Sequence, residues 1–191
     1  GKVSATELSF VAPPPARPVT AGRAPTFSVI VPTYQSAETI AESVDSALAQ
    51  TVQAHEIIVC DDGSTDDTQA VLEPYLGQIT YLKHDNEGAA ADRNRGIRAA
   101  SGEFVTVLDS DDAWAPSYLQ AVTALAVSRP DLDLLSTDAW FEVEGEIVGR
   151  FYEENTFSVT DQRKAILGTC FVGWPAARRS SLLVAGGFDG S

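Results

Sequence analysis

From Phe27 onward, apolar residues fall into short continuous runs separated by polar turns marked with glycine and proline. Phe27-Ser28-Val29-Ile30-Val31-Pro32 predicts a first strand. Behind a Ser36 cap, Ile40, Val44, Ala47 and Leu48 recur on one helical face. Glu56-Ile57-Ile58-Val59-Cys60 predicts a second strand, and Asp66 to Leu72 a short helix that Pro74 ends or kinks. There follow a strand over Ile79 to Lys83 and a helix over Gly88 to Ala100, stopped near Gly102. A strand over Phe104 to Leu108 and a helix over Pro116 to Ser128 complete this series. After Asp131 the pattern changes. Leu132 to Phe141 predicts a strand, Glu142 to Phe151 a hairpin turning at Glu144-Gly145, and Asp161 to Leu167 a short helix. Arg178 to Ala185 predicts a last helix, ended by Gly186-Gly187.

Strand and helix alternate from Phe27 to Ser128 at the spacing of right-handed βαβ units, which predicts an α/β fold with a mostly parallel sheet. The strands are continuously apolar, as expected when helices cover both faces. Residues 1 to about 25 lack periodicity and carry Ala12-Pro13-Pro14-Pro15-Ala16-Arg17-Pro18, so they read as a disordered tail or linker.

Composition narrows the function. The 191 residues suffice for one domain with a proper core. A formal net charge of −14 argues against binding a nucleic-acid backbone, and it means that a phosphate substrate must bring or recruit positive charge. No apolar stretch approaches the ~20 residues of a membrane span and no signal-peptide pattern opens the chain, so a cytoplasmic place is expected, the inner face of a membrane included. Cys60 and Cys170 stand far apart with no metal-ligand spacing, and Cys60 reads as a small buried residue. With no methionine at all, the sequence reads as a processed or cut chain.

Ligands of open α/β sheets bind beyond the carboxyl ends of the strands. Three of the predicted strands end in unusual polar groups: Pro32-Thr33-Tyr34, Asp61-Asp62-Gly63-Ser64 and Asp109-Ser110-Asp111-Asp112. In a parallel sheet all three meet at one edge. Carboxylates clustered beside a core are expensive unless something compensates them, and a hard cation such as Mg²⁺ or Mn²⁺, itself able to hold a diphosphate, is one compensation. Taken singly, each cluster is equally an acidic turn, with Asp112 starting to cap the next helix.

Together these stretches resemble glycosyltransferase family 2, whose members adopt the Rossmann-like GT-A fold and use nucleotide-diphosphate sugars. The matching stretches are Ser28 to Tyr34, Ile57 to Thr65, Gly88 to Gly96, Gly102 to Asp112 and Gly186-Gly187-Phe188-Asp189. The resemblance implies a nucleotide-sugar-binding domain over residues 26–191, incomplete at its C-terminus. It implies that Pro32, Thr33 and Tyr34 flank the nucleotide base, with Tyr34 offering a face for stacking, and that Asp62 accepts the imide N–H of a uracil or thymine ring. Cytosine presents an acceptor at that ring position and would face a carboxylate unfavourably. Arg93 and Asn94 match a pair placed near the pyrophosphate and ribose. Asp92 stands where the family has small residues, which leaves open whether Arg93 serves the donor or pairs with an acid on the helix surface. The surface pairing is the reading for Arg95 and Arg98; His84 reads as a solvated strand end, with reach to the nucleotide edge as the alternative.

Asp109-Ser110-Asp111 looks like the D-x-D motif. The resemblance implies that Asp111 ligates Mn²⁺ or Mg²⁺ and that Asp109 contacts ribose, the metal or a water on it, with Asp112 orienting the loop or ligating through water. It further implies metal-dependent transfer of a sugar, with inversion, from a UDP-sugar or similar donor to a carbohydrate, lipid or protein acceptor. The family's general base lies downstream of Gly-Gly-Phe-Asp, and this sequence ends at Ser191, so Asp189 matches the landmark and not the base. Gly168 to Pro175, with Trp174, falls where acceptor-facing loops occur. Two readings compete. A nucleotide-sugar-binding module without turnover would follow from the missing base. A nucleotidyltransferase would carry a Gly-rich basic loop where this chain has Thr33-Tyr34-Gln35-Ser36.

Overall fold

A computed structural model describes residues 23–138, 140–143, 146–150 and 175–189. The expected tail up to residue 22, the helix over Asp161 to Leu167, and Cys170 and Trp174 lie outside the described residues.

The first half builds as its pattern predicts. Strand β1 (Phe27–Thr33) is followed by α1 (Ile40–Leu48), β2 (Glu56–Asp61), α2 (Thr68–Leu72) with a 3₁₀ turn over Glu73–Tyr75, and β3 (Thr80–Lys83). Then come α3 (Ala89–Ala99), β4 (Phe104–Val107) and α4 (Tyr118–Ser128). β1 pairs in parallel with β2 and β4, and β2 with β3. Side chains alternate through the sheet. Phe27, Val29 and Val31 pack with Ile40, Val44, Leu72, Leu119 and Val122 on one face, while Ile30, Ile58, Cys60, Val105 and Val107 meet Ile97 on the other. Cys60 is fully buried, and burial pushes its thiol up to about 12. Helix α3 lies close against β1: a Cβ on Gly96 would sit 2.4 Å from Ile30 Cγ2. That approach sets the height at which the first turn of α3 stands over the strand ends.

The second half departs from the sequence expectation. Leu132 to Phe141 is not one strand. β5 (Leu134–Leu135) joins the main sheet, and β6 (Trp140–Val143) pairs separately with β7 (Glu146–Arg150). A strand that periodicity missed, β8 (Ala176–Arg178), inserts antiparallel between β4 and β5, giving the order β3-β2-β1-β4-β8-β5. Three residues are too few to show a period. What fixes β8 is tertiary: buried Arg178 stacks 4.5 Å over the Phe104 ring, bonds Asp133 at 2.9 Å and pairs with Glu103. Helix α5 (Arg179–Ala185) therefore starts one residue later than predicted, and it ends at Gly186 in the left-handed region. Ser36 also differs from expectation. It makes no side-chain cap; its carbonyl accepts Thr39 and Ile40 N–H, and its hydroxyl bonds elsewhere.

Candidate functional site

β1, β2 and β4 run parallel, so their carboxyl ends open on one edge, where a cleft of about 350 Å³ forms. Pro32, Thr33 and Tyr34 line it from β1, Asp62 from β2, Asp92 and Arg93 from α3, and Asp109, Ser110 and Asp111 from the turn after β4. Nearly every residue that the sequence nominates is there. Asn86, Gly88 and Ala89 line it as well, and only the nearness of 86–88 to the fingerprint of α3 could have suggested them.

The two acids after β2 do different work. Asp61 faces inward, accepting Ser64 N–H at 2.7 Å and the Tyr81 hydroxyl, with Lys83 Nζ at 3.8 Å; it shapes the turn. Burial and the Asp61 carboxylate raise the Tyr81 hydroxyl well above its ordinary range. Asp62 lines the cleft, with its carboxylate fixed by Glu87 N–H on Oδ1 and Gly88 N–H on Oδ2, both at 2.8 Å. A carboxylate offers about four lone-pair positions, so Asp62 can still accept from a ligand.

Gln35 holds the loop after β1 and was not singled out by the sequence. It sits at φ 52°, uncommon for a non-glycine residue, and its Oε1 accepts Thr65 N–H at 2.8 Å and Asp66 N–H at 3.1 Å. Its own N–H donates to Ser64 Oγ at 2.9 Å. This tie between two loops leaves Tyr34 half exposed at the cleft, as a stacking surface requires.

The turn after β4 is held from α1. Ser36 and Ser110 hydroxyls meet at 2.9 Å, and Ser43 Oγ donates to Asp112 O at 2.7 Å. Asp112 N–H closes the turn on Asp109 O at 3.0 Å, and Ser117 holds the N-terminal position of α4, so Asp112 does not cap that helix. Burial, then the charges of Asp111 and Asp109, hold the Asp112 carboxyl above its ordinary range. Carboxylates are the hard oxygen donors that Mg²⁺ or Mn²⁺ takes, and a cation beside this turn would relieve the repulsion that raises Asp112.

Arg93 Nη2 reaches Asp109 Oδ1 at 2.9 Å, so its acid partner belongs to the turn after β4 and not to the helix surface. Asp92 is turned the other way and bonds His84 Nε2 at 2.7 Å. His84 is therefore no solvated strand end: its side chain is 15% exposed, between Asp92 and Asp62, with Arg95 against the ring. Arg95 also pairs with Glu87 at 2.8 Å, as expected of a surface pairing. Asp62, His84 and Asp92 bring ligand atoms within 4.8 Å of one another, close enough to hold a metal ion. Here the Glu87 and Gly88 N–H groups and the Arg95 guanidinium already engage that trio.

Asn94 does not line the cleft. Its Nδ2 donates to Phe188 O and its Oδ1 accepts Phe188 N–H, both at 2.8 Å, so the amide clamps the Gly186–Asp189 turn. Gly187, at φ +80°, lies so close that a Cβ would come within 2.1 Å of Asn94 Oδ1. The landmark Gly-Gly-Phe-Asp thus folds back onto the helix that carries Arg93.

A mostly parallel α/β sheet with acids after β2 and β4, an aromatic after β1 and an arginine facing them has the architecture of the GT-A fold. A family model described as glycosyl transferase family 2 matches residues 28–185, and the chain belongs to that family. The chain is 42% identical over 126 residues to the Escherichia coli UDP-Glc:alpha-D-GlcNAc-diphosphoundecaprenol beta-1,3-glucosyltransferase WfgD, covering 65% of this chain and 49% of the relative. Chondroitin synthase of Escherichia coli is 31% identical over 142 residues, covering 71% of this chain and 20% of the relative. Among solved structures, S. aureus TarS 1–349 in complex with UDP-GlcNAc is similar at 28% identity and a TM-score of 0.68, over 84% of this chain and 47% of TarS. The chain thus spans between one fifth and one half of these proteins. No described helix is long and apolar enough to cross a membrane.

Proposed function

We propose that this chain is the donor-binding part of an inverting, metal-dependent glycosyltransferase that takes its sugar from a UDP-sugar and passes it to an acceptor hydroxyl. The observation that carries this reading is the opposition of Asp62 and the Arg93–Asp109 pair within one cleft: a fixed carboxylate toward the β2 side, a guanidinium and the acidic turn toward the β4 side. That spacing of chemistries suits a base at one end and a diphosphate at the other. WfgD is named for UDP-glucose and the TarS structure holds UDP-GlcNAc, which supports uracil as the base.

Asp62 accepts the uracil imide N–H, and Tyr34 stacks on the ring. Arg93 presents its planar fork to the diphosphate, exchanging part of its bond to Asp109 for phosphate oxygens. Asp111, with Asp109, would hold Mn²⁺ or Mg²⁺. That ion, when bound, supplies charge neutralisation for the departing nucleoside diphosphate. In a chain of net charge −14, Arg93 by itself is a small counterweight to a diphosphate, which is why the acidic turn needs a cation. Ser36 and Ser43 keep the turn shaped for it.

Calorimetric titration of UDP with and without Mn²⁺ tests this reading. Binding that requires the metal and favours UDP over CDP is expected. Metal-independent binding would overturn the metal assignment, and no binding in either condition would overturn the donor-site assignment.

A further inference from the structure

Asp92 is 1% exposed; its Oδ1 bonds His84, its Oδ2 has no well-formed hydrogen bond, and the Thr33 backbone lies against the carboxyl. A carboxylate so placed destabilises the fold by desolvation, and such local conflicts concentrate at functional positions. Its side-chain partner, His84, opens the segment 84–88 whose Glu87 and Gly88 N–H groups fix Asp62. The other ring nitrogen of His84, Nδ1, lies 2.9 Å from Asp85 O and 3.6 Å from Asp62 Oδ1. The imidazole thus stands between two carboxylates and is held to the one that does not face a base.

We propose that Asp92 and His84 are positioning residues for nucleobase selection, in which ionised Asp92 holds the His84 Nε2–H away from Asp62 and so keeps the Asp62 lone pairs open to the base. The inference rests on the donor reading of Asp62. When Asp92 is removed or protonated, the ring loses its carboxylate anchor, is left with Arg95 and Asp85 O, and turns an N–H donor toward Asp62, filling the acceptor that uracil needs. The groups facing the pair are Cys60 and Asp62 from β2, Asp85 and Glu87 from its own segment, and Arg95 from α3. Burial pushes the Asp92 carboxyl up to about 6, against the pull of His84, so the release falls just below neutral pH.

The test measures UDP and CDP affinities in saturating Mn²⁺ at pH 7.5 and 5.5. CDP shares the phosphates and metal, so the ratio of the two isolates the base. Asp92→Ala is expected to lower the UDP preference at least fivefold at pH 7.5. Adding His84→Gln to it should restore the preference, because the competing ring is gone. The unaltered chain should lose preference at pH 5.5, while His84→Gln keeps it. A preference unchanged in Asp92→Ala, or a double variant no better than the single, overturns the proposal and leaves the donor site standing. If the unaltered chain shows no preference for UDP at pH 7.5, the Asp62 reading fails and this inference with it. Should Asp92→Ala not fold, the pH arm decides: equal ratios at both pH values for the unaltered chain overturn the pairing.

Discussion

Arg93 Nη2 lies 2.9 Å from Asp109 Oδ1, joining the first turns of α3 to the acidic turn after β4 across the mouth of the cleft. In the proposed donor complex the pair brackets the diphosphate, and its bond holds the guanidinium toward the acidic turn. Both side chains keep some exposure, so the bond contributes little to folding and its worth lies in pre-organisation.

Arg93→Ala is therefore expected to leave stability within about 0.5 kcal/mol and to weaken UDP and CDP equally, by roughly tenfold or more. Titration of both nucleotides in Mn²⁺ checks this. A loss confined to UDP would place Arg93 at the base instead.

Asp62→Asn makes the complementary case. The amide offers a donor where the base offers its own N–H, so UDP weakens while CDP does not. Equal weakening of both nucleotides would contradict base recognition by Asp62.

Asp111→Ala should abolish the metal dependence of UDP binding. It also removes one of the charges that raise the Asp112 carboxyl, so melting should be unchanged or slightly later. Mn²⁺-dependent binding that survives in this variant would rule out Asp111 as a ligand.

Asn94→Ala removes two 2.8 Å hydrogen bonds to the Phe188 backbone. A loss of roughly 1–3 kcal/mol in urea unfolding is expected. UDP affinity at saturating Mn²⁺ should change less than threefold, because the amide is turned to the Gly186–Asp189 turn and not to the cleft. A large affinity loss without destabilisation would restore Asn94 to the donor site.

Asp92 also gives a signed pH dependence of stability. Its folded carboxyl, pushed up to about 6, takes its proton at higher pH than the unfolded one at about 3.8. The native state therefore binds more protons between those values, and this group's contribution to stability rises as pH falls. Compared with Asp92→Asn by urea unfolding, the unaltered chain should gain about 1 kcal/mol on going from pH 6 to pH 5. Donor selection moves the opposite way, weakening with acid, so a fall of both together would show general acid damage.

The strands and the chemistry at their ends could be read without coordinates because both are local. A buried parallel strand must be an apolar run, and polar groups beside it at the start of a turn interrupt the pattern visibly: Ile30-Val31 before Thr33-Tyr34, Val59-Cys60 before Asp61-Asp62, Val107-Leu108 before Asp109. The helix carrying Arg93 and Asn94 was equally legible from its spacing and from Gly96. What adjacency in sequence could not give was partnership. Asp61 and Asp62 are neighbours of one type, yet successive side chains leave the strand end on opposite sides, so one shapes a turn and the other faces the cleft. Asn94 follows Arg93 by one residue and, pointing about 100° around the helix, meets Phe188 instead of the cleft. β8 has too few residues to carry a period and exists because Arg178 finds Phe104, Glu103 and Asp133. The sequence marked Asp92 as a departure and left His84 at a strand end; only the packing of α3 against β1 and β2 brings them within 2.7 Å, where burial couples an acid and an imidazole to the carboxylate beside them.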